Sequence, residues 1–304
     1  MHITPAIQAL VGQEATLRST EPVDAGKIRR FAKALALDDP GYYDLAQNQP
    51  VAPLSFVFSV NHDSLGEVDE SGRPTNRLSL PPPFGPAMRG GNKLRFFRPV
   101  RVGDEILIHR KITAVTEKEG RAGPLVFLTY DLTYTSQSGD LLGINTETLI
   151  FQAAPGRKPI HREEKASERK PVPASSAGRE IPSFRITVSK IQMMMYAAAT
   201  WNPYQLHWDS DYSKKNGFPD ANVAGPMFGA YLVEMLVRWA GTHSSLLEME
   251  YTNRGMAFPE DTLICRGRMT GEKEKHRAAQ DCQVWVENQE GLLLVEGHAL
   301  VHTR

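Results

Sequence analysis

Asn202 and His207 are the residues whose types and spacing are best suited to chemistry. They stand five positions apart around Pro203, and an Ala-Gly-Pro step at residues 224–226 then opens an apolar stretch. An imidazole titrates near neutral pH and can take a proton from water, whereas an amide can only orient that water. A backbone N–H at a helix start can hold a carbonyl oxygen that gains negative charge. These groups suit the addition of water to an activated double bond.

The apolar stretch after residue 225 is the clearest helix in the sequence. We predict it over residues 226–240, because a proline suits the first turn of a helix and Gly241 follows its end. Its apolar side chains recur with helical spacing. They are Phe228, Tyr231, Leu232, Met235, Leu236 and Trp239. A stripe of this kind is typical of a core helix that supports a site at its N-terminus.

The composition of the chain excludes several classes of function. The 304 residues include 35 basic and 35 acidic side chains, so global charge gives no reason to expect a nucleic-acid or membrane partner. The first 12 residues lack the pattern of a signal peptide, and no apolar run has the length of a membrane span. Cys265 and Cys282 do not have a metal-ligand spacing. We therefore predict a cytoplasmic protein without a metal site.

The apolar periodicity stops between two similar halves. Residues 153–182 are rich in charge and proline, and we predict that they form a linker between domains at residues 1–152 and 183–304. Each half contains an amphipathic helix that runs into a proline-containing turn, and aligning the prolines places Asp39 on Asn202 and Asp44 on His207. Each half also ends in two strand-like segments joined by a polar turn, at residues 137–140 and 288–291. The pattern predicts an internal duplication with an α+β fold.

Two stretches carry a family resemblance. Residues 89–104 resemble the N-terminal dehydratase domain, and residues 202–212 a version of the hydratase motif, of MaoC-like (R)-specific enoyl-CoA hydratases and dehydratases in their double-hotdog form. The resemblance covers nearly all of the chain outside the linker. It implies two fused hotdog domains, each an antiparallel sheet wrapped around a central helix. It also implies a hydro-lyase that acts on an acyl-CoA thioester and needs no cofactor beyond the CoA of its substrate.

The chain departs from the family motif at two positions. The family has an aspartate, four intervening residues and then its histidine, whereas the partner five positions before His207 is Asn202 here. The family's His-Gly step before the central helix is Ala224-Gly225 in this chain. We expect His207 to act as the general base, Asn202 to orient water, and the Gly225 N–H to bind the thioester oxygen. The plain alternative is an ordinary Asn-Pro turn and a tight entry into a helix.

A second set of residues is predicted to bind the substrate. Trp201, Tyr204, Met227 and Phe228 would line the acyl pocket, although burial in the core explains these residue types equally well. Arg89 would hold the distal carboxylate of a short dicarboxylic substrate of the mesaconyl type, or else lie on a solvated strand edge.

Two other functions fit the same sequence. A hotdog thioesterase would use the Gly225 N–H to polarise the thioester while water attacks the carbonyl carbon. A non-catalytic acyl-CoA-binding or partner subunit would explain the missing aspartate. The duplication makes the chain a pseudo-dimer, and we expect a homo-oligomer, with a dimer of pseudo-dimers as one form.

Overall fold

The computed structural model describes residues 2–43, 50–60, 67–75, 78–81, 84, 87–120, 123–152, 178–241, 245–272 and 279–302. In the first half its elements are α1 (Pro5–Gln8), β1 (Glu14–Arg18), α2 (Ala25–Ala34), α3 (Phe56–Ser59), β2 (Met88–Phe96), β3 (Ile106–Gly120), β4 (Gly123–Ser136) and β5 (Leu141–Gln152). In the second half they are β6 (Glu180–Thr187), α4 (Lys190–Ala199), α5 (Ser210–Lys215), α6 (Gly225–Ala240), β7 (Ser245–Asn253), β8 (Thr262–Glu272), β9 (Ala279–Glu287) and β10 (Leu293–His302). Two 3-10 turns, Pro40–Tyr42 and Gln205–His207, follow α2 and α4.

The strands form one antiparallel sheet in the order β1-β3-β4-β5-β2-β7-β10-β9-β8-β6. The two halves of this order repeat each other outward from the β2–β7 pair, which matches the duplication predicted from the sequence. At that pair, a Cβ on Gly91 would stand 2.5 Å from the Tyr251 carbonyl oxygen, so the close approach of the strands requires glycine. The predicted α+β class is confirmed.

Helix α6 forms the centre of the second half. It starts at Gly225, one residue before the predicted position, and ends where Gly241 takes a φ of 79°. Its residues from Met227 to Leu236 are buried, and it packs against β6, β7, β8, β9 and β10. At the same place in the first half, the part of the chain that the structure describes has only the four-residue helix α3. The central helix is therefore long in one half and short in the other.

The predicted linker falls mostly on residues 153–177, which lie outside the described residues. The last residues of the expected linker belong to a strand, because β6 begins at Glu180. Ile181 in that strand is buried and pairs with Gly267 of β8. Burial of this one apolar side chain within a polar stretch explains why the sequence pattern places the end of the linker too late. The division into two domains stays a prediction.

The turns after α2 and α4 have the same backbone conformation. Ala36 and Trp201, at equivalent places, both adopt a positive φ, of 54° and 50°. The next N–H groups, of Leu37 and Asn202, donate to the carbonyl oxygens five residues back at 3.0 and 2.7 Å. Leu37 is therefore the structural counterpart of Asn202.

The two 3-10 turns continue this register. The N–H groups of Tyr42 and His207 each donate to the carbonyl oxygen three residues back, at 3.1 and 3.0 Å. Tyr42 thus occupies the place of His207. The alignment of Asp39 with Asn202 is wrong by two residues, because the two prolines occupy different places in their turns. Asp44 lies outside the described residues.

Candidate functional site

A cavity of about 460 Å³ is lined by residues of both halves. Its volume is in the range that binds small molecules. Six of the eight predicted site residues line it. They are Arg89, Asn202, Tyr204, His207, Gly225 and Phe228. The structure thus brings together the His207 imidazole, the Asn202 amide and the N-terminus of α6, the longest helix that it describes.

The tautomer of His207 follows from its contacts. Its Nδ1 lies 3.0 Å from the backbone carbonyl oxygen of Asn222 and 3.1 Å from the side-chain Oδ1 of the same residue. Both partners are acceptors, so Nδ1 carries the proton and donates it, and Nε2 carries the lone pair in the neutral ring. Asn222 is itself fixed, because its N–H donates to the Leu206 carbonyl oxygen at 3.0 Å. His207 therefore has the tautomer that a general base needs.

Asn202 is placed by the end of α4. The Thr200 hydroxyl donates to the Tyr196 carbonyl oxygen at 2.6 Å, and the next residue, Trp201, takes the left-handed φ that reverses the chain. The Asn202 side chain then lines the cavity while only 8% of the residue is exposed. An amide at this place can donate to one group and accept from another, but it cannot take up a proton.

Gly225 is the first residue of α6, and two side chains lie close to the position that its Cβ would take if it had one. A Cβ at this position would stand 3.2 Å from Asn253 Nδ2 and 3.4 Å from Arg89 Cδ. Any larger residue would therefore crowd Asn253 and Arg89 at the cavity wall. The N–H groups of the first helical turn have no acceptor within the helix, and the helix dipole favours negative charge beside them. Pro226 lacks an N–H, so Gly225 is the donor nearest the cavity.

Two of the predicted substrate-binding residues do not line the cavity. Trp201 is 44% exposed and has a left-handed backbone conformation. Met227 is completely buried in the apolar core. The structure gives neither residue a place beside a bound substrate.

Arg89 lines the cavity but its charge is already paired. Its Nη1 donates to Glu147 Oε2 and lies 3.5 Å from Asn92 Oδ1. Burial lowers the pKa of Arg89, and the negative charge of Glu147 more than offsets this, so the pKa stays above its ordinary value. The guanidinium is thus charged and neutralised by a carboxylate of the neighbouring strand, which the sequence pattern alone does not indicate.

A loop of the first half contacts the turn of the second half that carries Asn202 and His207. The Gln205 N–H donates to the Ser71 carbonyl oxygen at 2.9 Å. Gly72, with a φ of 79°, comes so close that a Cβ would stand 2.2 Å from the Pro203 carbonyl oxygen. The guanidinium of Arg73 lies over the Tyr204 ring, 5.8 Å from its centroid. The Ser-Gly pair indicates a turn in the sequence, but nothing in the sequence names the partner of that turn.

Within the part of the chain that the structure describes, no three His, Cys, Asp or Glu side chains gather as a metal site. No helix there is both long and apolar enough to cross a membrane.

Each half of the chain matches the model of a known protein family. Residues 9–143 match the family model described as the FAS1-like dehydratase domain region, and residues 172–290 match the model of the MaoC-like domain. The mesaconyl-C(4)-CoA hydratase of Chloroflexus aurantiacus is 27% identical over 214 residues, which are 67% of this chain and 70% of that protein.

Solved structures share the architecture at low sequence identity. A MaoC-like dehydratase superposes with a TM-score of 0.72 at 16% identity, over 98% of this chain and 99% of that one. A Mycobacterium tuberculosis protein with a double hotdog fold gives a TM-score of 0.63 at 16% identity, over 96% of both chains. The predicted double-hotdog fold and the family resemblance are confirmed. The chain belongs to the MaoC-like double-hotdog proteins, with a FAS1-like dehydratase region in its first half and a MaoC-like domain in its second.

Proposed function

We propose that this protein is a hydro-lyase that adds water reversibly to the double bond of a 2-enoyl-CoA thioester. The observation that carries the proposal is the tautomer of His207, whose Nδ1 is held by Asn222 in the cavity that Gly225 also lines. A base and a helix N-terminus on one cavity suit a reaction that needs proton transfer and a stabilised oxyanion. The family assignment and the 27% identical mesaconyl-C(4)-CoA hydratase support the same reaction class.

The reaction begins when the thioester oxygen accepts a hydrogen bond from the Gly225 N–H. His207 Nε2 then takes a proton from water as the water oxygen bonds to C3. The electron pair of the double bond moves toward C2 and the thioester oxygen, where the helix N-terminus stabilises the negative charge. The imidazolium returns the proton to C2, so no proton is gained or lost overall.

Asn202 orients the attacking water in this scheme and does not share in proton transfer. The family aspartate could accept a proton and the amide cannot, so a single base does the work. The proposal therefore assigns one residue, His207, to both proton steps, and it makes Asn202 a positioning residue.

The experiment follows the absorbance of the enoyl thioester with crotonyl-CoA, longer 2-enoyl-CoAs and mesaconyl-CoA, with free thiol measured in the same sample. We expect the absorbance to fall without release of thiol. Release of thiol would instead identify a thioesterase. No change in either signal, together with binding of the acyl-CoA, would identify a non-catalytic acyl-CoA-binding subunit.

Several further expectations belong to the proposal. The reaction as written needs no cofactor beyond the CoA of the substrate, and a cytoplasmic location and homo-oligomerisation stay predictions from the sequence. Mass measurement of the native protein tests the oligomeric state, and activity after treatment with a chelator tests independence from metal ions.

A further inference from the structure

A buried polar cluster forms the part of the cavity wall that the first half supplies. Arg89 and Glu147 pair across the neighbouring strands β2 and β5, with side chains 21% and 5% exposed. The Tyr130 hydroxyl on β4 lies within hydrogen-bonding reach of Glu147. Behind the pair, Asn92 Nδ2 donates to Asn145 Oδ1 at 2.8 Å. The rest of the cavity wall that the first half supplies is largely apolar, so the cluster forms a local polar region of that wall.

Two members of the cluster, Tyr130 and Arg89, keep their protons. Burial raises the pKa of Tyr130 and the charge of Glu147 raises it further, so the phenol keeps its proton. Arg89 keeps its charge beside Glu147. The cavity thus offers a ligand both hydrogen-bond donors and acceptors, with little net charge at the pair.

Stability does not explain this arrangement. A buried ion pair is often no more stabilising than apolar side chains of the same volume, because both charges lose their hydration. The surrounding wall contains such apolar side chains, among them Ile108, Leu132 and Leu149. The pair therefore fits a role in ligand selection better than a role in holding the sheet together.

Two further polar atoms at the cavity point to the same role. The hydroxyl of Tyr196, a residue only 2% exposed, lies near Ser59 but makes no hydrogen bond of normal geometry with any described residue. Asn253 donates from Nδ2 to the Arg89 carbonyl oxygen at 3.0 Å, but its buried Oδ1 has no partner within the described part of the chain. Both residues line the cavity. A buried polar atom without a partner costs free energy that a polar ligand can recover.

The cluster lies close to Gly225, the proposed donor to the thioester oxygen. Arg89 Cδ and Asn253 Nδ2 are the atoms nearest to the place of a Gly225 Cβ, at 3.4 and 3.2 Å. The guanidinium carbon is only two bonds beyond Cδ. A group that meets the cluster therefore lies within a few carbons of the thioester. Arg110 also lines the cavity, but from β3, three strands along the sheet from Arg89.

We propose that the cavity selects 2-enoyl-CoA substrates whose acyl chain has an uncharged polar group, a hydroxyl or a carbonyl, a few carbons beyond the double bond. A carboxylate would place a second negative charge beside Glu147 and share one guanidinium with it. A hydroxyl can accept from Arg89 or Tyr196 and donate to Glu147 or Asn253 Oδ1. This inference rests on the proposed hydratase function and names its substrate class.

The test compares 2-enoyl-CoA substrates of equal chain length that end in a methyl, a hydroxymethyl or a carboxylate group, with the end group on the fourth, fifth or sixth carbon. We expect the hydroxylated substrate to have a kcat/KM about tenfold or more above the methyl and carboxylate substrates at its best length. A preference for the methyl or the carboxylate substrate at every length overturns the inference while leaving the hydratase function intact. Hydration of none of them contradicts the proposed function itself.

A variant then locates the selectivity. Glu147→Gln removes the negative charge and nearly conserves the shape, so we expect the ratio of hydroxylated to carboxylated substrate to fall by about tenfold. Glu287→Gln is the matched control, because Glu287 is also a buried partner of an arginine, Arg266 at 2.6 Å, and does not line the cavity. An unchanged ratio in Glu147→Gln, or an equal change in the control, overturns the assignment to this pair. If Glu147→Gln does not fold, the substrate ranking of the native protein decides alone.

Discussion

The turn after α2 and the turn after α4 share a backbone but differ in every side chain that could do chemistry. Where the second half has Asn202 and His207, the first has Leu37 and Tyr42, in the same hydrogen-bond register. Leu cannot orient water, and burial together with the charge of Glu234 raises the pKa of Tyr42 beyond the range in which it could act as a base. The two turns thus share a backbone conformation, but only the turn of the second half has side chains suited to the proposed reaction.

The start of the central helix differs in the same way. The Phe56 N–H donates to the Pro53 carbonyl oxygen at 2.8 Å, and the Met227 N–H donates to that of Ala224 at 2.9 Å. This register places Leu54 opposite Gly225, so the first half has a large side chain where the second half has none. Both halves line the cavity, and in the proposed mechanism the second half supplies the reacting groups. The proposed function would thus divide binding and catalysis between two similar halves of one chain.

Substitution of His207 and of its counterpart Tyr42 tests the comparison between the two turns most strongly. We expect His207→Ala to lower kcat/KM by about 10²–10⁴-fold, the contribution of a general acid–base group, without loss of the fold. Its counterpart Tyr42→Phe should stay within about twofold of the native protein. Steady-state hydration kinetics and circular dichroism check both variants. A fully active His207→Ala protein would remove His207 from the mechanism.

Substitution of Asn202 is expected to have the next largest effect on kcat/KM. Asn202→Leu installs the residue that the first half has at this place, and we expect about a 10²-fold loss in kcat/KM because water is no longer held. Asn202→Asp should retain or increase the activity, since a carboxylate can orient the same water. The pair of variants is measured with one enoyl-CoA at saturation and at low concentration. Equal activity of the native and Leu proteins would show that water is positioned elsewhere.

The contact between the halves is tested at Gly72. In Gly72→Ala the new Cβ must move the Pro203 carbonyl, which stands 2.2 Å from its position, so the catalytic turn shifts. We expect kcat/KM to fall by about tenfold and the protein to lose roughly 1–3 kcal/mol of stability. Gly12→Ala is the control, because Gly12 also has a positive φ, of 88°, but no atom lies within 4 Å of its Cβ position. If the two variants are equally active, the loop of the first half does not position the turn.

The smallest effect concerns stability and pH. Glu234 lies 3% exposed on α6 between Tyr42 and Arg238, and burial raises its pKa more than its hydrogen bond with Arg238 lowers it. A raised carboxyl pKa means that the folded state binds the proton more tightly than the unfolded state, so this contribution to stability is lost as the pH rises through the folded pKa.

Denaturant unfolding between pH 4 and pH 8 measures this effect. The native protein should gain stability relative to Glu234→Gln as the pH falls from neutral toward the ordinary glutamate range, while hydration activity at pH 7.5 stays equal. A difference in the free energy of unfolding that is constant with pH would contradict the assigned direction.

Much of the fold can be read from the sequence. The helix predicted over residues 226–240 exists, and the polar turns predicted at residues 137–140 and 288–291 do separate β4 from β5 and β9 from β10. These features depend on local periodicity and turn residues, which a single sequence displays. The sequence could not show that aligning the two prolines shifts Asp39 by two residues relative to Asn202. A proline indicates that a turn is present but not which position of the turn it occupies.

The site is less accessible to sequence reasoning. His207 and Gly225 stand near each other along the chain, and their residue types suggest the chemistry. Asn222 contacts His207 through its backbone carbonyl as well as its side chain, and the backbone contact leaves no signal in the sequence because every residue has a carbonyl. The pairing of Arg89 with Glu147 depends on the register of β2 against β5, which tertiary structure sets.

The junction of β2 with β7 has a consequence for how the chain assembles. Each strand also pairs within its own half, so both halves can build their sheets before they meet, and each then has an unpaired edge that can recruit another molecule. Lys93 and Arg95 on β2 lie opposite Glu250 and Glu248 on β7. Two copies of β2, or two of β7, would bring like charges together. The junction therefore favours closure of one chain on itself over aggregation through identical edges.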